Sequence, residues 1–339
     1  MWRRERRHPR GGAVTSAVPD AAAPSPAVRV AGWSLHLPGA GTLADDLADW
    51  SGVPVQRLAG ALAGAVPAER AHETLGRKGL LYKEPATRLA LCAVHRALGL
   101  APGRVRPDGV DPETAVVVAG NLGNVATVAE LARTIHAEGG RAVSPLAAPN
   151  ASSNVLASTI ALWFGFGGAN LMLCSGATAG LDAVRTAALL LRAGRAGRVL
   201  VVGSEPADET AIGLHQAGCA TSQLRAGAAC LVLTRAAPSG RGPVLLTAAR
   251  QATCRLGPGG FDPATRWGDC YGAAGVVNLA LAAALLDAGG SGPIAVTCGD
   301  DTDGEREVWL TADPGDSAEA ITPDTPRVVF VDGGSGAQR

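Results

Sequence analysis

Asn170-Leu-Met-Leu-Cys174 is a short apolar run, Ser175-Gly-Ala-Thr-Ala-Gly180 is six small residues in succession, and Leu181-Asp-Ala-Val-Arg-Thr-Ala-Ala-Leu-Leu-Leu191 carries apolar residues at helical spacing. The first run has the character of a strand, and the last fits a mostly buried helix that stops near Gly194. Arg198-Val-Leu-Val-Val-Gly203, followed by Ser204 and Glu205, supplies a second strand. The order strand, tight turn, helix, parallel strand is the building unit of a layered α/β protein.

A turn of small residues between a buried strand and a helix brings backbone N–H groups and the positive helix end close to whatever binds there. Enzymes place nucleophiles at such turns, because a thiolate at a helix entrance is stabilised by the dipole. Residue 177, within this turn, is alanine, which has no nucleophilic atom to offer. Cys174 lies three residues earlier, in the strand, and is either a displaced nucleophile or a buried small hydrophobe. Neither G-x-G-x-x-G nor G-x-x-x-x-G-K-[ST] occurs at this turn, which argues against nucleotide binding.

Working outward, the 339 residues can bury a large core and suit two fused halves or one large α/β unit. A net charge of zero with 18% charged residues gives no reason to expect a nucleic-acid partner. Lysine occurs only at Lys78 and Lys83. The seven cysteines, Cys92, Cys174, Cys219, Cys230, Cys254, Cys270 and Cys298, are scattered without C-x-x-C spacing. Neither a structural metal nor a disulfide framework is expected, and a reducing cytoplasm is the default. The basic start Met1-Trp-Arg-Arg-Glu-Arg-Arg-His-Pro-Arg10 leads into Ala/Pro-rich sequence without the apolar core of a secretory signal. No apolar run reaches the ~18 residues of a membrane span, so no membrane partner is expected.

Residues 1–27 are expected to be a disordered tail. Residues 28–240 form a first half and 241–332 a shorter second half, with 333–339 loose. In the first half, Val28 to Leu35 is a strand, and Pro85 opens a helix to about Leu98 with Ala86, Leu89, Ala90, Ala93 and Val94 on its apolar side. Thr114 to Ala119 is a strand covered on both faces, and Val125 to Ala137 and Ser152 to Phe164 are helices. Asn150, Ser152, Ser153 and Asn154 suit helix capping, and so does His215 at the end of a helix from Thr210 to Gln216. Ala228 to Leu233 is a further strand. The second half offers strands at Val244 to Ala248, Pro293 to Cys298, Glu307 to Thr311 and Arg327 to Val331, with a helix from Gly272 to Leu286.

The central stretch resembles the nucleophile turn of the β-ketoacyl synthases, where Thr-Ala-Cys-x-Ser-Gly-Leu precedes a helix, a Gly and a Gly-Gly-x-Glu strand end. Laying Gly180-Leu181, Gly194 and Gly203-Ser-Glu205 on that pattern without a gap puts Ala177 at the cysteine. A second anchor, Gly268-Asp-Cys-Tyr-Gly-Ala-Ala-Gly275, is similar to the family's Gly-His-x-x-Gly-Ala-Ala-Gly, with Asp269 at the histidine. The lysine that usually stands a few residues earlier has no counterpart, Ala264 being nearest, and no His-Gly-Thr-Gly-Thr segment occurs. The family's Gly-Phe-Gly-Gly loop is missing after Cys298, while Gly165-Phe-Gly-Gly168 has the letters in another place.

The resemblance spans roughly residues 28–300 and implies the thiolase-like fold, α/β with two related halves in αβαβα layers and a shortened C-terminal half. Decarboxylative Claisen condensation requires a thiolate and two imidazoles, which this pattern lacks. Ala177-Thr-Ala-Gly-Leu-Asp-Ala183 is similar to the chain length factors of type II polyketide synthases, which carry Gln-Ala-Gly-Gly-Leu-Asp-Ala. That subclass implies a cytoplasmic, non-catalytic subunit without cofactor, paired with a ketosynthase alpha subunit and served by an acyl carrier protein. Asn124, Thr127 and Leu131 match its gate positions and share one helix face, which otherwise packs in the core. Two further readings stay open. One is a thiolase-fold acyltransferase or hydrolase using Cys174 or Cys270; the other is a free-standing acyl-binding or scaffold protein.

Overall fold

The computed structural model describes residues 27–105, 107–218, 222–236, 242–246, 252 and 254–312. Both tails, Cys219, the end of the strand expected over Val244 to Ala248 and the strand expected over Arg327 to Val331 lie outside them. In chain order the elements are β1 (Val28–His36), α1 (Leu43–Ser51), α2 (Val55–Leu62), α3 (His72–Leu75), α4 (Pro85–Ala97), β2 (Thr114–Ala119), α5 (Val125–Glu138) and α6 (Val155–Phe164). There follow β3 (Asn170–Leu173), α7 (Ala179–Arg192), β4 (Arg198–Glu205), α8 (Glu209–Ala217) and β5 (Gly227–Arg235). The second half contributes β6 (Val244–Leu246), β7 (Cys254–Leu256), α9 (Pro263–Arg266), α10 (Ala274–Asp287), β8 (Ile294–Asp300) and β9 (Gly304–Thr311).

The strands run in the order β3-β2-β4-β5-β1-β6-β9-β8-β7, with β2 parallel to both β3 and β4 and β5 antiparallel to β4 and β1. The two halves meet at β1 and β6 through the pairs Val28↔Leu245 and Arg29↔Val244. Strand β2 alternates Ala115, Val117 and Ala119 into one core with Val116 and Val118 into another, so it is covered on both faces as its unbroken apolar run requires. One core lies under α4 and α6. The larger one holds α7 and α10, each touching strands of both halves. Helix α10 is apolar all round, Gly275 to Leu286 being buried, as its position between two layers demands.

The halves are related at their centre. Each buried helix follows a single 3-10 turn, Gly176–Thr178 before α7 and Tyr271–Ala273 before α10. The helices cross where Gly180 meets Gly275: a Cβ on Gly180 would come 2.7 Å from the Gly275 backbone. Cys298 closes the same contact, its Sγ 3.8 Å from the Thr178 carbonyl.

Outer helices, N-terminal strands, central helices and C-terminal strands account for four of the five layers that the resemblance implies. On the far side of β8 and β9, register places Thr297 with Glu307 and Ala295 with Trp309, and Arg255 pairs with Glu307 at 2.8 Å. Among the described residues that face mixes Ala295 and Trp309 with Thr297 and Glu307, and no helix packs on it. Strand β3 departs from the sequence reading, which took it as buried. It forms the sheet edge, with Leu171 38% exposed and Asn170, Met172 and Leu173 half-buried.

Candidate functional site

The turn between β3 and α7 is built on Gly176, whose φ of 64° lies in the left-handed region that favours glycine. The Ala177 methyl is 9% exposed at the mouth of α7, and the Ala177 N–H donates to Asp303 Oδ2 at 2.8 Å. Asp303 belongs to the tight connection between β8 and β9. The first turn of α7 is also tied to β9. Asp182 Oδ2 accepts from Ser175 Oγ (2.8 Å) and Thr178 Oγ1 (2.9 Å), and its Oδ1 accepts from Arg306 Nε (3.0 Å).

The other side of the turn is held by Asn121, just beyond β2. Its Nδ2 donates to the Gly176 carbonyl at 2.9 Å and its Oδ1 accepts from the Gly176 N–H at 3.0 Å. Asn121 N–H and Leu122 N–H in turn donate to the two carboxylate oxygens of Glu205, at 2.6 and 2.9 Å. Burial pushes the Glu205 carboxyl up to about 8, against the pull of N–H donors from Asn121, Leu122 and Gly272 and with a further push from Asp269. The folded state therefore binds this proton more tightly than the unfolded chain. The associated stability is fully present below the ordinary carboxylate value of 4.5 and is lost as pH rises toward about 8. Unfolding free energies from urea titrations at pH 5 to 9 are expected to fall through this window, by more than about 1 kcal/mol in all. The Glu205→Gln variant is expected to be less stable at low pH but to lack this slope. An identical slope in the variant would show that Glu205 is not its source.

Asp269, which the resemblance sets at the family's histidine, has both carboxylate oxygens engaged. Its Oδ1 accepts from Tyr271 N–H (2.7 Å), and its Oδ2 lies 2.9 Å from His215 Nε2. His215 is buried at 5% exposure and meets the Tyr271 ring edge-on at 5.4 Å. The capping role read for His215 is thus corrected: the ring turns inward from α8 because Asp269 supplies a buried partner. Tyr271 has φ 41°, uncommon for a non-glycine residue, and the Asp269 carboxylate on its N–H holds it there.

The cysteines of interest differ. Cys270 is 3% exposed, and burial, with Asp269 and Glu205 nearby, holds its thiol well above the usual range. Cys174 follows the edge strand and is exposed, which corrects the expectation of a buried position inside the strand. Partial burial and Glu205 push its thiol upward. It borders a cavity of about 50 Å³ with Gly120, Asn121, Ser153 and Met172, and no acid or base side chain lines that space.

Of the residues matched to the gate, Thr127 and Leu131 lie on α5 and Asn124 directly precedes it; no residue of α5 is fully buried, so the alternative of ordinary core is not met. Asn124 Nδ2 donates to the carbonyls of Asn150 (3.0 Å) and Ser152 (3.2 Å), Thr127 Oγ1 donates to Glu84, and Leu131 is half-buried. Expected capping by the Asn/Ser cluster is also corrected. Helix α6 starts at Val155 without a side-chain cap, because Asn150 Nδ2 donates to the Tyr82 carbonyl and Asn154 Nδ2 to Asn170 Oδ1, both at 2.8 Å. Gly165 to Gly168 sits before β3, at the opposite end of the strand from the nucleophile turn.

The thiolase-like architecture and the nucleophile turn define a ketosynthase-like protein. The family model of the β-ketoacyl synthase N-terminal domain matches residues 54–237, and the chain belongs to that family. Among solved structures it is similar to the ishigamide ketosynthase/chain length factor, at 18% identity and TM-score 0.62 over 84% of this chain and 99% of that one. It is likewise similar to a type II polyketide synthase acyl carrier protein in complex with its ketosynthase bound to the hexaketide, at 16% identity and TM-score 0.63 over 85% and 99%. No curated protein matches. Among the described residues no helix is long and apolar enough to cross a membrane, and no group of His, Cys, Asp and Glu could hold a metal ion.

Proposed function

We propose that this chain is a non-catalytic ketosynthase-like subunit, a chain length factor, which pairs with an active ketosynthase and shapes the tunnel holding its growing acyl chain. The observation that carries this reading is Ala177 at the helix entrance, with a carboxylate on its N–H and no nucleophilic atom on its side chain. Asp269, engaged by Tyr271 N–H and His215, stands where the family has a catalytic imidazole.

Surface chemistry supports a partner. Among the described residues strand β3 has a neighbour on one side only, beside the exposed Leu171, and such an edge is a template for strand pairing. Helix α5 carries the exposed Val128 and Ile135, and Leu146 beyond it is exposed as well. A ketosynthase alpha subunit covering this region would bury a large apolar interface, more than about 2,000 Å² for an obligate pair. The ketosynthase described above that was solved with an acyl carrier protein supports such a carrier as the donor of the chain.

Two results are expected. Intact-protein mass spectrometry after incubation with malonyl and acyl thioesters should show no adduct and no decarboxylation. Co-expression with active ketosynthases should yield a stable heterodimer, whereas the chain alone self-associates or is poorly soluble. A stable monomer that binds no ketosynthase offered would defeat the reading. A covalent adduct at Cys174 would favour the acyltransferase alternative, which rests on the exposure of that thiol and lacks a base beside it.

A further inference from the structure

We propose that Asp303 keeps the subunit's own nucleophile turn closed to thioesters, its carboxylate standing where the carbonyl oxygen of an acyl group would be held. A group attacked at position 177 must bring its developing oxyanion to the backbone N–H at the mouth of α7, the donor aimed at that point. That donor is already committed to Asp303 Oδ2 at 2.8 Å. The carboxylate also fills the space over the turn: a Cβ on Gly176 would come 1.8 Å from Asp303 Oδ2 and 2.4 Å from its carboxyl carbon.

The connection that delivers Asp303 is specified residue by residue. Gly299 (φ 127°) and Gly304 (φ 76°) bound it, both in the left-handed region. Asp300 Oδ1 accepts from the N–H groups of Thr302 (2.9 Å) and Asp303 (2.7 Å), which sets the turn before it reaches α7. Arg306, three residues on, reaches the α7 carboxylate of Asp182 at 3.0 Å and fastens the hairpin to the same turn of helix. Among the described residues no cation pairs with Asp303. Its charge is met by the Ala177 N–H and the positive end of α7, the interaction an acyl oxyanion would otherwise receive. Burial, and then the carboxylates of Asp303 and Asp300, oppose ionisation of the Tyr271 phenol. The surroundings are thus hostile to a second anion.

This inference rests on the non-catalytic reading and adds to it that the site is filled as well as disarmed. A thiol restored at position 177 would meet a carboxylate that blocks its approach to electrophiles and raises its pKa. The experiment compares the full-length Ala177→Cys variant with the double variant Ala177→Cys/Asp303→Ala and with Ala177→Cys/Asp303→Asn. Alkylation by iodoacetamide is followed at each cysteine by peptide mass spectrometry. Removing the carboxylate should raise the rate at position 177 at least about fivefold, the gain in thiolate fraction exceeding the loss of intrinsic nucleophilicity. The asparagine variant should fall between the two, and Cys174 serves as the internal reference. Equal rates at position 177 with and without Asp303 would overturn the proposal while leaving partner binding untouched, since reconstitution with a ketosynthase tests that separately. Hydrogen exchange on the unaltered protein gives a second measure that requires no variant to fold. A protected Ala177 amide is expected, and a freely exchanging one would also overturn the proposal.

Discussion

Replacing Gly180 by valine is expected to abolish accumulation of folded protein. The Gly180 position has no room for even one carbon, since a Cβ would lie 2.7 Å from the Gly275 Cα and 2.8 Å from the Val276 nitrogen. Backbone cannot yield as a flexible side chain does, so α7 and α10 would have to separate along the seam that joins the two halves. Overpacking in a core costs typically 1–3 kcal/mol when side chains absorb it, and here a larger loss is expected, set against a total stability of about 5–15 kcal/mol. The control is Gly213→Ala, within α8, where nothing lies within 4 Å of the added carbon. That change should be neutral or stabilising by up to about 1 kcal/mol, because alanine favours a helix interior. Soluble yield and denaturant midpoints measure both. A folded Gly180→Val variant with near-normal midpoint would mean that the helices do not cross as described.

The same crossing shows what could be read in the sequence. Ser175 to Gly180 and Cys270 to Gly275 both end in a small-residue turn and a glycine, and each leads into a helix pattern. Period and composition suffice for such elements, so the layered α/β architecture was legible. Strand β2 was equally clear, because a six-residue run rich in β-branched valine and bounded by turn residues suits a strand covered on both faces. Edge position was not legible for β3. Its apolar letters look the same whether the second neighbour is another strand of this chain or none.

The site was readable by what stands at single positions and unreadable by what comes together from afar. On the proposed reading, Ala177 and Asp269 can each be read from a single position of the sequence. His215 reaches Asp269 from 54 positions away, and Asp303 reaches Ala177 from 126 positions away. Each has a local explanation, a helix end for one and an acidic turn for the other, and local patterns report only that. The Gly299-Asp-Asp-Thr-Asp-Gly304 stretch did carry a hairpin signal between two strand patterns. Its position after Cys298, where the family closes the site with a glycine-rich loop, was the clue to its destination.

The gate supplies the other large effect, on product rather than on stability. On the proposed reading, Leu131 stands near the far wall of the partner's chain tunnel, and its half-buried side chain on α5 leaves volume to be gained or lost there. Close-packed walls do not admit an added methylene at low cost, so side-chain volume at this point limits how far the chain grows. Leu131→Ala should lengthen the products of the reconstituted pair, with little change in the rate of the first condensation, because the chemistry belongs to the partner. Thr127→Trp should shorten them, and it also removes the hydroxyl that donates to Glu84, so heterodimer stability must be measured beside it. Glu130→Ala is the control: that residue is exposed on α5 and pairs with Arg133 at 2.9 Å across the surface, so product length should not move. Chromatographic profiles of the products decide the matter. If both gate variants form intact heterodimers and give the original product distribution, α5 does not border the tunnel, and the length of the chain is set by other residues of the pair.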